Sequence, residues 1–242
     1  MDLAGKAVLV TGGTSGIGLA LARALVRAQA RVAVCARSRA GLDAFAAEQP
    51  GAVALQADVT DRASQARLLA AVEDRLGGLD VLVSNAGVLV EHDFMHEDVD
   101  PAAVAGEIDV NLTAPIQVAA AALARFPRLG ALVFVSSGYA LVAPRRAPTY
   151  GAAKAGLHAF AKALRRQAGA RGVHVLEVLP PVVDTPPTAH RDVRKVSPES
   201  VAEATLRALA AGRDEALVGE VRFLPGLLRL APRWVEAIVA RG

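Results

Sequence analysis

The chain has few of the residues and segments that form disulfide scaffolds, metal centres or membrane-spanning helices. Its single cysteine, Cys35, excludes an internal disulfide, and the apolar run around it predicts a buried strand residue rather than a nucleophile. Of five histidines, His92 and His96 are four residues apart, but no cysteine or further histidine joins them, so we expect no metal site. No apolar run approaches about 18 residues without a charge, and we therefore expect no membrane-spanning helix.

Neither positive nor negative charge is in large excess. The 242 residues carry 27 Lys and Arg against 24 Asp and Glu, a formal net charge of +3, and no long basic block supports a nucleic-acid partner. Residues 1–6 show no signal peptide, which predicts a cytoplasmic protein. With 53% hydrophobic and 21% charged residues, the chain has enough apolar material for a sizeable core and is not expected to be disordered.

What the chain does have is a regular alternation of short apolar runs and helix-forming segments. The alternation predicts an α/β fold, in which a Rossmann-type doubly wound parallel sheet of about seven strands forms a single domain over residues 1–242. In such sheets, ligands bind at the carboxyl ends of the strands. We expect strands at 7–11, 31–35, 53–57, 80–84, 131–136, 173–179 and 216–220, and helices at 16–29, 40–48, 61–76, 101–126, 149–170 and 198–211.

A glycine-rich loop joins the first expected strand to the first expected helix. Residues 7–10 are a short apolar run, the loop follows at once, and residues 19–26 are good helix formers. Gly12, Gly16 and Gly18 would let the backbone approach a pyrophosphate at the N-terminus of that helix. Their spacing differs from the GxGxxG fingerprint, and a tight turn without a ligand is the alternative. The strand and helix on either side favour the nucleotide site.

Tyr150 and Lys154 are the second informative feature. They lie four residues apart in an alanine-rich stretch that favours helix, so they would share one helix face. A free tyrosine titrates near about 10, and a neighbouring positive charge lowers the pKa of a phenol, which suits a proton donor near neutral pH. Such a pair also arises by chance on a solvated helix turn, and it gains weight from the glycine loop at the other end of the chain.

With these residues taken together, the chain resembles the short-chain dehydrogenase/reductase family from residue 5 to about residue 220. The matching elements stand in the family's order and at family-like separations, which chance does not explain. They are the TGxxxGxG loop (Thr11–Gly18), the acid that holds adenine (Asp58), the NNAG element (Ser84–Gly87), the helix asparagine (Asn111), the catalytic serine (Ser137), the YxxxK pair (Tyr150 and Lys154) and the PGxVxT element (Pro180–Thr185).

The sequence departs from the family pattern at two positions. Ser84 stands where the family has the first asparagine of NNAG, and Pro181 stands where it has the glycine of PGxVxT. Because proline removes a backbone donor and fixes φ, the loop beside the nicotinamide is expected to be shaped differently. The stretches Val135–Gly138 and Pro180–Thr185 look most similar to a bacterial subgroup that includes oxidoreductases associated with teichoic-acid D-alanylation, a resemblance that supplies no substrate.

The resemblance implies a role for each matching residue. Tyr150 would exchange a proton with the carbonyl oxygen, Ser137 would hydrogen-bond that oxygen, and Lys154 would hold the ribose and lower the pKa of Tyr150. Asn111 would position a water in the proton relay to Lys154. The cofactor would contact Gly12, Ser15, Gly16, Ile17, Gly18, Arg37, Asp58, Val59, Asn85, Ala86, Gly87, Tyr150, Lys154, Val183 and Thr185.

The end of the second expected strand indicates which nicotinamide cofactor is preferred. NAD-preferring sites place an acid there, but the expected position is Ala36, followed by Arg37 and, two residues further on, Arg39. A guanidinium binds a 2′-phosphate with bidentate, charge-assisted hydrogen bonds, so we expect NADP(H) to be preferred, with NAD still possible. The alternative is that Arg37 stacks on the adenine and tolerates either cofactor.

The substrate is not specified by any motif. Residues 89–98, 138–148 and 186–197 are expected to shape its pocket, and the last of these holds basic residues that either attract an anion or, as the commoner case, are solvated charges on a mobile lid. The tail, residues 224–242, mixes apolar and basic residues and is expected to be helical. Packing against the body or a second subunit is the commoner explanation of such a helix, and a membrane surface is the other.

Together these features predict an NADP(H)-dependent oxidoreductase that interconverts a small-molecule carbonyl and an alcohol. By resemblance to the family, residues 101–126 and 149–170 would build a homodimer or homotetramer. Two other classes stay open, a non-catalytic NADP-sensing regulatory protein and a membrane-surface protein that works through its tail. Regulatory relatives usually lose the catalytic tyrosine or lysine, and this chain has both. A sugar-nucleotide epimerase is disfavoured because only about 57 residues follow Thr185.

Overall fold

A seven-stranded parallel sheet carries the fold within residues 1–239, the part of the chain that the structure, a computed structural model, describes. In chain order the strands are β1 (Ala7–Thr11), β2 (Arg31–Ala36), β3 (Val53–Gln56), β4 (Val81–Ser84), β5 (Ala131–Val135), β6 (His174–Leu179) and β7 (Glu215–Leu217). Their order in the sheet is β3-β2-β1-β4-β5-β6-β7, which confirms the predicted doubly wound α/β architecture. The switch point lies between β1 and β4, where that architecture places its ligands.

Helices cover both faces of the sheet, because both faces of its strands are apolar. Within β1, Val8 and Val10 belong to one hydrophobic core and Ala7 and Leu9 to the other, as the two-residue period of a strand requires. The helices are α1 (Gly16–Arg27), α2 (Arg39–Glu48), α3 (Arg62–Leu76), α4 (Pro101–Ile108), α5 (Ala114–Arg125), α6 (Pro148–Ala168), α7 (Pro198–Ala210), α8 (Leu224–Leu230) and α9 (Pro232–Val239). Of these, α1, α2 and α7 pack on one face, and α3, α5 and α6 on the other.

Two elements differ from the expectation. The helix expected over 101–126 is interrupted by a π-helical turn, Asp109–Thr113. Pro115 explains it, because proline has no N–H to continue the ladder into this turn. The last strand ends at Leu217, since Gly219 adopts φ +57° and starts a 3₁₀ turn, Gly219–Phe223, where a strand was expected. The other bounds lie within about two residues of those expected.

The described part of the tail is helical and is divided into α8 and α9 at Pro232. Residues 240–242 of the expected tail lie outside the described residues. Over the described range, none of the helices combines the length and the apolar character that crossing a membrane demands. Cys35 is fully buried in β2, and burial raises the pKa of its thiol to about 12, which agrees with the predicted structural role.

The Thr11 hydroxyl ties the two central strands together at the switch point. Its oxygen accepts hydrogen bonds from the backbone N–H groups of Asn85, at 3.0 Å, and Ala86, at 3.1 Å. In return the Asn85 side chain donates to the carbonyls of Thr11, at 2.9 Å, and Gly12, at 3.2 Å. The loops that follow β1 and β4 are therefore held against each other by reciprocal bonds.

We expect Thr11→Val to destabilise the protein by about 2–3 kcal/mol. Valine has the same shape but cannot accept, so two partly buried backbone donors lose their partner. Urea unfolding followed by circular dichroism measures the change. Thr60→Val is the matched control, because the exposed Thr60 hydroxyl only donates to Asp58. Equal midpoints for the two variants would contradict this account of the switch point.

Candidate active site

A cleft of about 1110 Å³ runs along the carboxyl ends of the strands. The glycine loop lines one part of it, and side chains of α8 and α9 line another. The structure brings every predicted site residue to this cleft: Gly12, Ser15, Gly16, Ile17, Gly18, Arg37, Asp58, Val59, Asn85, Ala86, Gly87, Asn111, Ser137, Tyr150, Lys154, Val183 and Thr185.

The glycine loop is a turn that side chains could not occupy. Gly12 has φ +66° and Gly16 has φ +49°, both in the left-handed region. A Cβ on Gly18 would stand 2.1 Å from the Gly12 carbonyl oxygen, closer than any real contact. Among the described residues, the Ser15 side chain caps none of the first N–H groups of α1. Those donors, with the positive end of the helix dipole, are free to meet an anion.

The cleft is also lined by the guanidinium of Arg37 and the carboxylate of Asp58. Arg37 is exposed and directly follows Ala36, the last residue of β2. Asp58 accepts from the N–H and the hydroxyl of Thr60, at 2.9 and 2.7 Å, and these bonds, helped by Arg37, lower the pKa of its carboxyl. Arg39 pairs instead with Asp43, at 3.1 Å, and does not line the cleft.

Tyr150 and Lys154 share the inward face of α6, as the spacing predicts. The Lys154 Nζ lies 5.6 Å from the centroid of the Tyr150 ring. Burial raises the pKa of Tyr150 to about 12, although the Ser137 hydroxyl works in the opposite direction. Burial therefore decides the pKa of Tyr150, in the direction opposite to the lowering expected from Lys154, and Tyr150 is protonated at neutral pH.

Lys154 is itself buried and is held in place by the backbone. Its Nζ donates a hydrogen bond of 3.0 Å to the carbonyl of Val135, at the end of β5. Burial lowers the pKa of Lys154 to about 8, and the nearby Glu177 carboxylate raises it. The ammonium form therefore still dominates at neutral pH, beside a protonated phenol.

Asn111 lies in the π-helical turn and is completely buried. Its amide donates to the carbonyls of Val88, at 2.7 Å, and Glu107, at 3.0 Å, whereas its Oδ1 has no hydrogen-bond partner among residues 1–239. A Cβ on Gly87 would stand 2.8 Å from that Oδ1 and 3.7 Å from the Lys154 Nζ. The missing side chain of Gly87 thus leaves a space between an amide acceptor and an ammonium donor, which suits a bridging water.

The sequence model of the short chain dehydrogenase family matches residues 6–195, which is most of the chain. The chain belongs to the short-chain dehydrogenase/reductase family. The chain is therefore an NAD(P)-dependent oxidoreductase of this family, as the resemblance implies.

Individual relatives agree with this assignment. The uncharacterized oxidoreductase DltE of Bacillus subtilis is 37% identical over 188 residues, 76% of this chain and 74% of DltE, in line with the subgroup resemblance. The 3-oxoacyl-[acyl-carrier-protein] reductase FabG of Vibrio cholerae is 32% identical over 218 residues, 88% of this chain and 85% of FabG. A short-chain dehydrogenase of Burkholderia cenocepacia, solved in complex with NADP, is 25% identical and matches with a TM-score of 0.88 over 99% of both chains.

This short-chain dehydrogenase/reductase ties its pocket loops together through a charged cluster that the sequence did not reveal. Arg191 donates to Glu91, at 2.9 Å from its Nε, and to the Tyr139 hydroxyl, at 3.0 Å from its Nη1. Its side chain is only 5% exposed, so the interpretation of this segment as a lid with solvated charges is wrong for Arg191. Glu91 lies 100 positions away in sequence, a separation at which no local pattern signals the pair.

The tail also contributes to the site of this enzyme, which sequence reasoning missed. Side chains of α8 and α9 line the cleft, and Val235 among them is buried. The tail therefore packs against the body, the commoner of the two explanations considered, and does so over the cleft. The apolar spacing of Leu227, Trp234 and Ile238 was the only available signal, and it identifies an apolar face without saying what the face covers.

Behind Lys154 lies a buried acid that the motifs did not identify. Glu177 on β6 is completely buried, and its Oε2 accepts from His158 Nδ1 at 2.7 Å. Its Oε1 has no hydrogen-bond partner in the described part of the chain. His158 follows Lys154 by one helical turn, and one oxygen of Glu215, on β7, lies within 4.8 Å of ligand atoms of the pair. Glu177 is thus the negative charge that opposes the effect of burial on Lys154.

We expect Glu177→Gln to lower the pKa of Lys154 below its value of about 8. The amide keeps an acceptor for His158 but removes the charge that favours the ammonium form, so Lys154 loses its proton at a lower pH. An NMR titration of ¹³Cε-labelled lysine measures the shift. Glu203→Gln, on the surface of α7, is the control. An unchanged midpoint for Lys154 would show that Glu177 does not act on it.

Proposed function

We propose that this protein is an NADP(H)-dependent oxidoreductase that interconverts a carbonyl and an alcohol, with Tyr150 as the general acid and base. One observation carries the proposal: Tyr150, Ser137 and Lys154 all line the same cleft. The Asn111 Oδ1 acceptor lies beside them, next to Gly87. The 3-oxoacyl reductase named among the relatives and the relative solved with NADP support a reductase and a nicotinamide cofactor.

The residues present fit the proposed cofactor. The glycine turn, which no Cβ could enter, and the uncapped N-terminus of α1 suit a pyrophosphate, and Arg37 would pair with the 2′-phosphate. Val183 and Thr185 would contact the nicotinamide carboxamide. When bound, the nicotinamide supplies hydride for reduction or accepts it in oxidation.

The proton chemistry then belongs to this chain's own residues. In reduction, the protonated Tyr150 donates its proton to the carbonyl oxygen, and the Ser137 hydroxyl donates a hydrogen bond to the same oxygen as negative charge develops. Lys154 stabilises the phenolate that remains, and the space between its Nζ and the Asn111 Oδ1 holds the water that returns the proton. In oxidation the phenolate accepts the proton.

Assembly and location are part of the proposal. We propose a homodimer or homotetramer that uses the outer faces of α4, α5 and α6, and a cytoplasmic location. A regulatory protein without turnover is the weaker alternative, because this chain keeps Tyr150, Lys154, Ser137 and Asn111 together. A membrane-surface role through the tail is also weaker, since α8 and α9 already pack over the cleft.

We expect Arg37→Ala to lower the affinity for NADPH about 10-fold or more while leaving that for NADH nearly unchanged. The lost interaction is a charge-assisted pair with the 2′-phosphate, which NADH lacks. Fluorescence titration of both cofactors measures it. Arg39→Ala is the matched control, because Arg39 pairs with Asp43 outside the cleft. If wild-type protein binds NADH as tightly as NADPH, the proposed preference fails.

We expect Tyr150→Phe to reduce kcat about 100- to 10,000-fold, a far larger effect than any change in the Kd for NADPH. Phenylalanine keeps the ring but removes the transferable proton, a contribution usually worth about 10²–10⁴ in rate. A panel of aldehydes and ketones with NADPH, followed at 340 nm, measures it. Tyr139→Phe, which removes a partner of Arg191 but leaves the Tyr150 hydroxyl in place, should stay within about 10-fold of wild type. A Tyr150→Phe enzyme of normal rate would refute the assignment.

A further inference from the structure

Beyond the residues proposed to bind the cofactor, the cleft is covered by apolar side chains of the tail, which form its roof. Leu227 on α8 and Trp234, Val235 and Ile238 on α9 all line it. Leu89 and Val142, from two of the loops expected to shape the pocket, line the cleft as well. The surface that a substrate would meet beyond the reacting carbonyl is therefore largely hydrocarbon.

Charged groups on this side of the cleft are neutralised or peripheral. Arg191 lines the cleft, but its guanidinium is committed to Glu91 and to the Tyr139 hydroxyl. The other charged side chain here, Glu220, is exposed and negative. Neither can hold an anionic group of a substrate without giving up an existing pair or meeting a like charge, so an anionic substrate tail has no partner among these groups.

Part of the apolar roof remains open to water. Leu227 is 38% exposed, Trp234 59% and Ile238 47%. All three face the cleft on at least one side, because each lines it. A hydrocarbon chain that covered them would remove apolar surface from water on both partners, and each methylene group so buried strengthens binding about three- to fourfold.

We propose that the preferred substrates are carbonyl compounds carrying an extended, uncharged hydrocarbon chain, which lies beneath α8 and α9. This inference rests on the carbonyl-reducing function proposed above. Because α8 and α9 supply the walls, the tail, rather than the motifs, sets the substrate preference.

A homologous series of straight-chain aldehydes from four to ten carbons, with NADPH, tests the proposal. In wild-type enzyme kcat/KM should rise about three- to fourfold per methylene until the cleft is filled. A ten-carbon aldehyde that ends in a carboxylate should lose that advantage. Turnover that does not change with chain length would overturn the inference and leave the proposed function intact.

Variants of the roof show whether the tail is responsible. Leu227→Ala and Trp234→Ala should flatten the dependence on chain length while leaving the Kd for NADPH unchanged. Leu230→Ala is the matched control, because Leu230 lies on α8, is 86% exposed and does not line the cleft. If the control flattens the series as much as Trp234→Ala does, the chain does not lie where we place it.

Trp234 also reports binding without any turnover, since it is the only tryptophan in the sequence. In the presence of NADPH, decanol should shift its emission at a concentration at least about 50-fold lower than butanol does. If no aldehyde is reduced but this difference is seen, the proposed function fails and the apolar subsite stands. If both alcohols act at the same concentration, the subsite is refuted whatever the activity.

Discussion

The bond network around the Thr11 hydroxyl is the constraint on which the site depends. A parallel sheet holds its strands side by side but does not control the loops that leave their carboxyl ends. Here one buried hydroxyl accepts from two consecutive N–H groups after β4, and the Asn85 side chain returns two bonds to the loop after β1. The glycine turn and Gly87 are thus fixed relative to each other, and Gly87 in turn sets the space shared by Asn111 and Lys154.

Burial, rather than charge, dominates the protonation states in the site. The phenol and the ammonium are both removed from water, which raises the pKa of Tyr150 to about 12 and lowers that of Lys154 to about 8. The ordinary pKa of lysine lies slightly above that of tyrosine, and burial reverses this order. The phenol therefore keeps its proton, while the ammonium becomes easier to deprotonate. Glu177 limits the fall for Lys154. The charge of this buried acid thus helps to retain a positive charge beside Tyr150 near neutral pH.

Short-range sequence patterns predicted most of the fold, and the resemblance to the family supplied the expected residues that line the glycine-loop part of the cleft. The reason is that this part is built from loops directly after strands, so that position along the chain determines position in space, as for Gly12, Asp58 and Asn85. Features that join distant segments escaped prediction. The Arg191–Glu91 pair spans 100 positions, Glu177 reads as one polar residue in an apolar strand, and the roof formed by α8 and α9 depends on how the tail folds back.

The two departures from the family pattern can be reconciled with an intact site. Ser84 is the buried last residue of β4, and the reciprocal bonds to β1 come from the next two residues, so they do not need an asparagine at this position. Pro181 follows a carbonyl, that of Pro180, which accepts from Gly138 at 2.8 Å and anchors the loop without any N–H from Pro181. The pyrrolidine ring lies near Gly219, where a Cβ would approach its Cγ to 3.3 Å. Proline at this position therefore restricts the backbone of the loop. Its ring also packs against the turn that leads into the roof of the cleft.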